Sequence, residues 1–366
     1  MASPIPEPRL ESLENRTPFA VFQYDKMGTG RLFYDVVVLK GCYSLTPGKL
    51  ALARESSIIA LADAYWNDAA PERSSLKVAG DAVLWKPATD VLVTGTARSP
   101  GDEMLEMWEA RVEVSRGGEP LLCHRLRVNA PRHWFYQRNG WYLSEAGKAA
   151  SVPIRYELAY GGAYPDLDAR EPDPDRPWVV HALNPSGTGF FDERLLDPTE
   201  QYPAVQWESL KLAPGDIDRH GPPAGFGPVA RPWASRLRYA GTYDEAWETR
   251  MREEGEQGLP ADYPEDFDMA FFQCAHPALT SEGHLSGDEE IALTGLCGSR
   301  GSFTTALPGH TPIARTKNGN GDELAQPMAL DTVHVDLDHA LVHLSWRLTL
   351  PQTRDVQAVE IEMAES

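Results

Sequence analysis

The sequence predicts a mainly β protein of sandwich-like or barrel-like antiparallel sheets with a few short helices. Three observations lead to this fold class. Apolar and polar residues alternate over several segments, which is typical of strands with one buried face. The chain contains 30 Gly and 30 Pro, residues that end such segments in turns. Its 366 residues are 42% hydrophobic, which is enough to bury a substantial core.

The first predicted strands lie in the N-terminal half. Residues 32–45 form a run rich in β-branched and aromatic side chains, and residues 91–95 continue the pattern of strand followed by turn. Residues 109–115 alternate strictly, and residues 121–128 can return as their partner strand. The Gly-Gly pair at 117–118 can adopt the positive φ angles of a tight turn, so a hairpin is predicted here.

The C-terminal third repeats this pattern. Strands are predicted over residues 333–338, 342–350 and 359–363, each with apolar side chains on alternate positions. The second of these places Val342, Leu344 and three further apolar residues opposite a polar face. The order of the strands within sheets does not follow from these patterns.

The clearest helix signal begins at Thr242. Thr242 and Glu245 have the spacing of a capping box, and Glu248 and Arg252 have the spacing of a favourable i,i+4 pair. The predicted helix ends before Gly255.

One large domain is expected over residues 15–350, after a flexible N-terminus at 1–14 and before a C-terminal strand and tail at 351–366. Alternating acids and prolines at 166–177 mark a place where the large domain could divide. Residues 309–327, with Asn-Gly-Asn-Gly-Asp near their centre, are predicted to be an exposed turn-rich stretch.

The charge of the chain argues against two classes of partner. Its 54 acidic and 34 basic residues give a formal net charge of -20, and no Lys- or Arg-rich run offsets it locally. Such a surface repels phosphate backbones and anionic lipid, so neither nucleic acid nor membrane is expected as a partner. No stretch approaches about 18 uninterrupted apolar residues, and the first residues lack the pattern of a signal peptide. A cytoplasmic protein is therefore expected.

The sequence predicts no metal, no cofactor and no catalytic residue. The four cysteines are widely spaced without a Cys-x-x-Cys pair, which favours reduced thiols over a zinc site or a disulfide framework; they are Cys42, Cys123, Cys274 and Cys297. His339 and His343 lie in a strand-like pattern, which separates them by roughly 13 Å, too far to share a zinc ion. Ser299 lacks the Gly-x-Ser-x-Gly spacing of a nucleophile elbow.

One acidic loop offers an alternative. Residues 262–268 contain acids that, beside aromatic residues, could serve a carbohydrate-active hydrolase as a carboxylate pair. Asp266 and Asp268 are the candidates. The same residues, like Asp244, more commonly cap turns and helices, and sequence spacing does not distinguish the two roles.

The most unusual segment runs from Pro222 to Asp268. It combines Gly and Pro, which fix special backbone geometry, with Trp and Tyr, which need burial or a partner. No nucleophile-and-base pair or phosphate loop occurs within it. The segment is therefore interpreted as architecture or as a docking surface.

Ordered motifs across most of the chain carry a resemblance to one bacterial family. They are 17–19, 40–45, 85–97, 160–162, 184–190, 223–228, 240–244, 266–268 and 330–333, together with Trp233, Arg236 and Trp247. Read in order, they resemble the effector adaptors of the type VI secretion system. The chain departs from that pattern at Tyr160, where Phe is expected, after Phe272, and in an insertion at 262–265.

The resemblance implies a cytoplasmic, non-enzymatic adaptor or chaperone that helps to load a toxic effector onto the secretion spike. The implied partners are the effector and the valine-glycine repeat spike protein (VgrG), a PAAR-repeat protein, or both. A third hypothesis is a structural component that stays with the spike after delivery. Detection of the protein on ejected spikes would favour that third role.

Within the central segment, five residues are the candidates for partner contact, because large aromatic and Arg side chains commonly contribute most of the affinity at interfaces. They are Phe226, Trp233, Arg236, Tyr243 and Trp247. The competing interpretation for each of them is that it holds the fold together.

Overall fold

The computed structural model describes residues 10–168, 178–211 and 219–364. Strands dominate these ranges. In chain order they are β1 Ser12–Asn15, β2 Ala20–Met27, β3 Phe33–Ser44, β4 Gly48–Lys49, β5 Ala51–Leu52, β6 Ala64–Tyr65, β7 Leu76–Val78, β8 Asp90–Thr94, β9 Thr96–Arg98, β10 Met107–Arg116, β11 Glu119–Asn129, β12 His133–Gln137, β13 Gly140–Leu143, β14 Ser151–Pro153, β15 Tyr160–Gly161, β16 Ala163–Pro165, β17 Trp178–Val180, β18 Thr188–Gly189, β19 Tyr202–Pro203, β20 Trp207–Ser209, β21 Glu290–Thr294, β22 Phe303–Ala306, β23 Pro312–Asn318, β24 Glu323–Pro327, β25 Ala329–Asp336, β26 Leu341–Pro351 and β27 Val356–Met363.

Helices are few and short, as the sequence predicts. The α-helices of the described ranges are α1 Ala234–Leu237 and α2 Glu245–Glu256. The 3-10 turns are Thr29–Arg31, Pro71–Arg73, Pro100–Asp102, Tyr156–Leu158, Glu193–Leu195, Met269–Phe272, Pro277–Leu279 and Gln352–Arg354. The prediction of a mainly β fold is confirmed.

The central sheet has the strand order β2-β3-β26-β25-β8, and β5 also pairs with β3. The long strands β3 and β26 are antiparallel, whereas β8 runs parallel to β25. The run predicted over residues 32–45 is thus a central strand, and Val36, Val37, Val38 and Leu39 within it are fully buried. Both faces of this strand are covered, which explains its continuous apolar sequence.

A second sheet has the order β20-β11-β10-β21-β22-β4. The predicted hairpin is confirmed as β10 and β11, which are joined by Gly117 and Gly118 with φ angles of 58° and 85°. Positive φ at both turn positions matches the right-handed twist of the flanking strands. Ala110, Val112 and Val114 of β10 are buried on one face, as their alternation predicts.

The third sheet, β1-β27-β23-β24, differs from two expectations. Strands β23 and β24 lie within residues 309–327, and Ala314 of this stretch is fully buried. Residues 319–325 are exposed, as expected, but the turn-rich prediction missed the two strands, because only the turn between them has the loop composition. Strand β1 pairs in parallel with β27, although a flexible terminus was expected through residue 14. Residues 1–9, and most of the 166–177 division, lie outside the described residues.

One hydrophobic core joins the three large sheets. Val37 of the central sheet, Val112 of the second and Val359 of the third belong to the same buried cluster. The sheets therefore pack as layers around a shared core. Smaller sheets of two or three strands surround it, and none of the sheets in the described ranges closes into a barrel.

The polar face of the central sheet is buried as well. Residues 57–86 cover it, so the alternation in β26 does not mark a solvent-exposed side: Ser345 and Arg347 are 1% and 5% exposed. Three ion pairs lie in this layer: Lys40 with Asp81 (2.7 Å), Lys86 with Asp90 (2.8 Å) and Arg347 with Asp331 (2.6 Å). Each charge has a partner, which is the condition under which buried charges are tolerated.

Helix α2 begins three residues later than predicted. Its N-cap is Asp244, whose carboxylate accepts a hydrogen bond from the Trp247 backbone N–H at 2.9 Å. Thr242 instead donates its backbone N–H and its hydroxyl to Asp266. The helix continues through Gly255, and the Glu248–Arg252 ion pair is not formed. The capping-box prediction was wrong because a distant acid competes for Thr242.

Candidate functional site

The first half of the Pro222–Asp268 segment is buried. Phe226 and Trp233 are 0% exposed. The Trp233 ring packs edge-on against Tyr156 at a centroid distance of 5.3 Å, and Phe226 packs edge-on against Trp207 at 5.7 Å. Both aromatic residues therefore contribute to the core of the isolated chain.

Arg236 is also buried, at 4% exposure. Its guanidinium donates hydrogen bonds to the backbone carbonyls of Phe271 (2.8 Å) and Val229 (3.0 Å). These bonds tie α1 to two loops and satisfy carbonyl groups that would otherwise be unpaired. Of the five residues named from the sequence, the structure thus places three in the interior, where a partner cannot touch them without rearrangement.

A close approach explains one glycine of the segment. A Cβ atom on Gly225 would lie 2.4 Å from the Tyr156 ring, whereas a Cβ atom on Gly227 would meet nothing closer than 4.0 Å. The neighbouring Tyr156 hydroxyl donates to the Gly227 carbonyl at 2.9 Å, which holds the ring in place. The backbone can approach the ring only where a side chain is absent.

We expect Gly225→Ala to lower the free energy of unfolding by about 1–3 kcal/mol, because the added methyl group displaces the buried Tyr156 ring. Gly227→Ala is the matched control, and we expect it to change stability by less than about 1 kcal/mol. Urea denaturation measures both. Equal effects of the two variants would contradict the close approach at Gly225.

Tyr243 and Trp247 lie at the surface, at the N-terminal end of α2. Tyr243 is 51% exposed, and its ring packs edge-on against Trp247 at 4.7 Å. The Trp247 indole N–H donates to the Asp262 carbonyl at 3.2 Å. This contact and the Asp244 cap hold Trp247, so less side-chain entropy is lost when its ring binds a partner.

The two rings form one wall of a surface groove of about 730 Å³, which we call the α2–β2 groove. It runs between the N-terminal end of α2, strand β2, the loop after α2, the loop before β6 and the loop after β7. Its lining residues are Phe22, Tyr24, Asp25, Lys26, Met27, Leu61, Ala82, Tyr243, Trp247, Ala261, Asp262 and Tyr263.

Polar contacts to the loop after β7 hold the strand side of the groove. The Tyr24 hydroxyl donates to the Val83 carbonyl at 2.5 Å, and burial raises the pKa of Tyr24 to about 12, so this hydroxyl keeps its proton. Lys26 Nζ donates to the Ala82 carbonyl at 3.1 Å. Phe22 and Leu61 have no such anchor and are 37% and 58% exposed. Exposed apolar side chains beside a fixed strand are typical of a protein-binding groove.

The acidic loop beside the groove has structural contacts. Asp266 accepts two hydrogen bonds from Thr242, and these bonds lower the pKa of its carboxyl. Asp268 caps the 3-10 turn that begins at Met269 by accepting from the Ala270 N–H at 2.8 Å. Glu265 pairs with Arg250 at 2.9 Å. A lowered pKa is the opposite of what a general acid in glycoside hydrolysis requires.

A second cleft, of about 740 Å³, was missed by the sequence reasoning. Six aromatic residues from segments far apart in the chain contribute to its walls: Trp134, Trp141, Tyr160, Tyr164, Phe190 and Phe191. Two of the motifs quoted above contribute to it, 160–162 and 184–190. These motifs were the available signal, but nothing in their sequence shows that they meet.

The remaining candidates for chemistry lie apart from both clefts. His339 is in the turn between β25 and β26 and pairs with Asp336, whereas His343 is in β26. The four thiols are free, and burial raises the pKa of Cys274 to about 12 and that of Cys297 to about 11, which makes these two poor nucleophiles. No group of three or more His, Cys, Asp or Glu within the described ranges is arranged to hold a metal ion.

None of the helices in the described ranges is long and apolar enough to cross a membrane. A family model described as an uncharacterized protein conserved in bacteria (DUF2169) matches residues 31–347. No curated protein and no solved structure matches the chain.

Proposed function

The chain belongs to the DUF2169 family of proteins conserved in bacteria, and from the motifs it carries we propose that it is a non-enzymatic adaptor for a type VI secretion effector. In this proposal the protein works in the cytoplasm. It binds the effector and promotes its loading onto the VgrG spike, a PAAR-repeat protein, or both.

The observation that carries this proposal is the α2–β2 groove. Tyr243 and Trp247 belong to the segment that resembles the adaptor family most closely, and both rings lie in the wall of a groove whose other apolar side chains are exposed. Tyr and Trp are the residues most often found to dominate binding energy at protein interfaces. The groove therefore supports protein binding by the segment that the resemblance identifies.

The proposed mechanism needs no chemical step. An adaptor that binds a transport-competent state of the effector stabilises that state by its differential binding free energy. Contact with the spike through the same complex raises the effective concentration of effector at the spike. The alternative, a carbohydrate-active hydrolase, is supported less, because Asp266 is bound by Thr242 and Asp268 caps a 3-10 turn.

We expect the Tyr243→Ala and Trp247→Ala double variant to lose about 10-fold or more of its affinity for the effector, since two anchoring rings are removed. The test is co-purification of an effector from the native cells, at two salt concentrations and with identification by mass spectrometry, together with measurement of effector secretion. Leu324→Ala, on a distant strand with a 53% exposed Leu, is the matched control. Thermal denaturation establishes that each variant is folded.

Retention of the effector and of its secretion by the folded double variant would contradict the proposed role of the groove. Secretion that is unchanged after deletion of the whole protein would contradict the adaptor function itself. Glycan turnover that disappears in an Asp266→Ala and Asp268→Ala variant would support the hydrolase instead.

A further inference from the structure

Strand β2 has one open edge. It pairs with β3 on one side and has no other strand partner among the described residues. The backbone hydrogen bonds formed outside the strand ladders do not involve residues 20–27. At about 3.3 Å per residue, this eight-residue strand offers an edge roughly 26 Å long, with N–H and C=O groups free for pairing.

The α2–β2 groove follows this edge. Side chains on successive strand residues point to opposite faces, so Tyr24 and Lys26 lie on one face of β2 while Asp25 and Met27 lie on the other. All four line the groove. A groove that touches both faces of a strand lies along its edge, where an added strand would run.

The far side of the groove presents apolar side chains to such a strand. Tyr243 and Leu61 are 51% and 58% exposed, and Phe22 at the edge itself is 37% exposed. Main-chain pairing with an edge supplies affinity, and pockets for alternate side chains supply selectivity. The groove provides both features in one place.

The charge around the groove favours a basic occupant. Two acids, Asp25 and Asp262, line the groove against one base, Lys26, and the whole chain carries a net charge of -20. A second copy of the chain, with its own net charge of -20, would be repelled.

We propose that an extended segment of the partner protein, with alternating basic and apolar residues, adds to the open edge of β2 and places one apolar side chain among Phe22, Leu61 and Tyr243. The inference rests on the proposed adaptor function, because it names the chemistry of the segment that the adaptor recognises. Recognition is through the main chain, so it depends on alternation and charge more than on one fixed sequence.

The test uses the full-length protein and a synthetic peptide of eight residues that alternates Lys with Val and has one central Phe. Hydrogen exchange of the backbone amides reports where the peptide pairs, and fluorescence anisotropy reports affinity. We expect at least about 10-fold slower exchange for the outward-facing amides of β2 when the peptide is bound, because a paired N–H must open before it exchanges.

Two altered peptides separate main-chain pairing from other binding. Methylation of the backbone nitrogens on one edge of the peptide removes its donors, and we expect binding to weaken at least about 10-fold. Replacement of every Lys by Glu should abolish binding in the same concentration range. Phe22→Ala and Tyr243→Ala should each weaken binding about 10-fold, whereas Leu324→Ala on the open-edged strand β24 should not.

The inference is overturned if the methylated peptide binds as well as the parent, or if protection appears at β24 rather than β2. It is also overturned if no β2 amide is protected at peptide concentrations up to the solubility limit. The same holds if sedimentation equilibrium shows a dimer and hydrogen exchange shows that its β2 amides are already protected without peptide. Effector secretion that needs Tyr243 and Trp247, together with peptide failure, would leave the adaptor function standing without strand addition. Peptide pairing with β2, together with secretion that does not need Tyr243 and Trp247, would support strand addition and contradict the adaptor function of the groove.

Discussion

Asp90→Ala is expected to lower the free energy of unfolding by about 4 kcal/mol, among the largest effects of any single substitution in this protein. Asp90 is 0% exposed and lies 2.8 Å from Lys86 Nζ, which is itself buried. Its carboxylate also accepts hydrogen bonds from the Gln273 side chain (2.7 Å) and from the Cys274 backbone N–H (2.8 Å). Removal of the carboxylate leaves a buried cation and several buried donors without an acceptor.

The position of these contacts explains why the effect should be global. Asp90 begins β8, an outer strand of the central sheet, and the donors it binds belong to the loop that follows the 3-10 turn ending at Phe272. One carboxylate thus joins the sheet to the Pro222–Asp268 segment and its continuation. The Asp90 carboxylate and the Lys86 ammonium keep each other ionised. Burial alone would raise the pKa of the Asp90 carboxyl, but the Lys86 ammonium lowers it.

Urea denaturation of purified variants measures the free energy of unfolding and so tests this prediction. Glu323→Ala is the control, since its ion pair with Lys317 spans 3.7 Å between two exposed side chains, and a loss of no more than about 1 kcal/mol is expected. The Asp90→Ala and Lys86→Met double variant should recover part of the loss, because the unpaired cation is then absent. A loss for Asp90→Ala as small as that for Glu323→Ala would show that the pair does not stabilise the fold.

Acid should destabilise the protein well above the range in which its carboxylates titrate. Burial lowers the pKa of His124 to about 4 and that of His276 to about 3, and the two rings stack at a centroid distance of 3.9 Å. Burial, with the nearby His343 and Lys40, also lowers the pKa of His334 to about 3. All three are therefore neutral in the folded protein at pH 5.

In the unfolded chain these histidines titrate near pH 6.5. Below that pH the unfolded state binds more protons than the folded state, so the free energy of unfolding falls as the pH falls. At pH 5 each group is about 1.5 pH units below its unfolded pKa, which corresponds to about 2 kcal/mol per histidine. For the three histidines together we expect a loss of about 6 kcal/mol between pH 7.5 and pH 5, continuing toward pH 4.

The contacts of the stacked His124 and His276 rings indicate which region acid should open first. His276 Nδ1 accepts a hydrogen bond from the Ala278 N–H at 3.1 Å, so protonation at Nδ1 breaks the cap of the turn that begins at Pro277. Protonation of either ring also places a charge against its stacked neighbour. The region between β11 and this turn should therefore open first in acid.

Denaturation curves from pH 7.5 to pH 4 test the prediction with two variants. His124→Phe keeps an aromatic ring but removes one titrating group, so the loss between pH 7.5 and pH 5 should shrink by about 2 kcal/mol. His339→Asn is the control of opposite sign: the hydrogen bond to Asp336 raises the pKa of His339, so the folded state binds this proton more tightly, and its removal should enlarge the loss rather than shrink it. A stability that stays flat down to pH 5 would contradict neutral, buried histidines.

Much of the architecture followed from local patterns. Alternation at residues 109–115 and the Gly-Gly pair at 117–118 identify a hairpin, because side-chain period and turn geometry are properties of neighbouring residues. The same logic places the strands of the C-terminal third. It fails for residues 309–327, where turn composition at the centre conceals the flanking strands β23 and β24.

The candidate site could be predicted only in part. Tyr243 and Trp247 stand out by residue type, but Trp233 and Phe226 stand out equally, and only packing against Tyr156 and Trp207 separates buried rings from exposed ones. Phe22 and Leu61 carry no distinguishing signal at all. They matter because β2 is at the edge of a sheet, which depends on pairings between segments far apart in the chain.

The sequence by itself determined the mainly β class, the strand-and-turn segments and the strong negative charge, because each of these depends on composition or on residues close together. Only the tertiary structure decided that the polar face of the central sheet is buried, that β8 runs parallel to β25, and that α2 faces the open edge of β2. The physical reason is that burial and pairing are set by contacts between distant segments, and local periodicity contains no information about which segments meet.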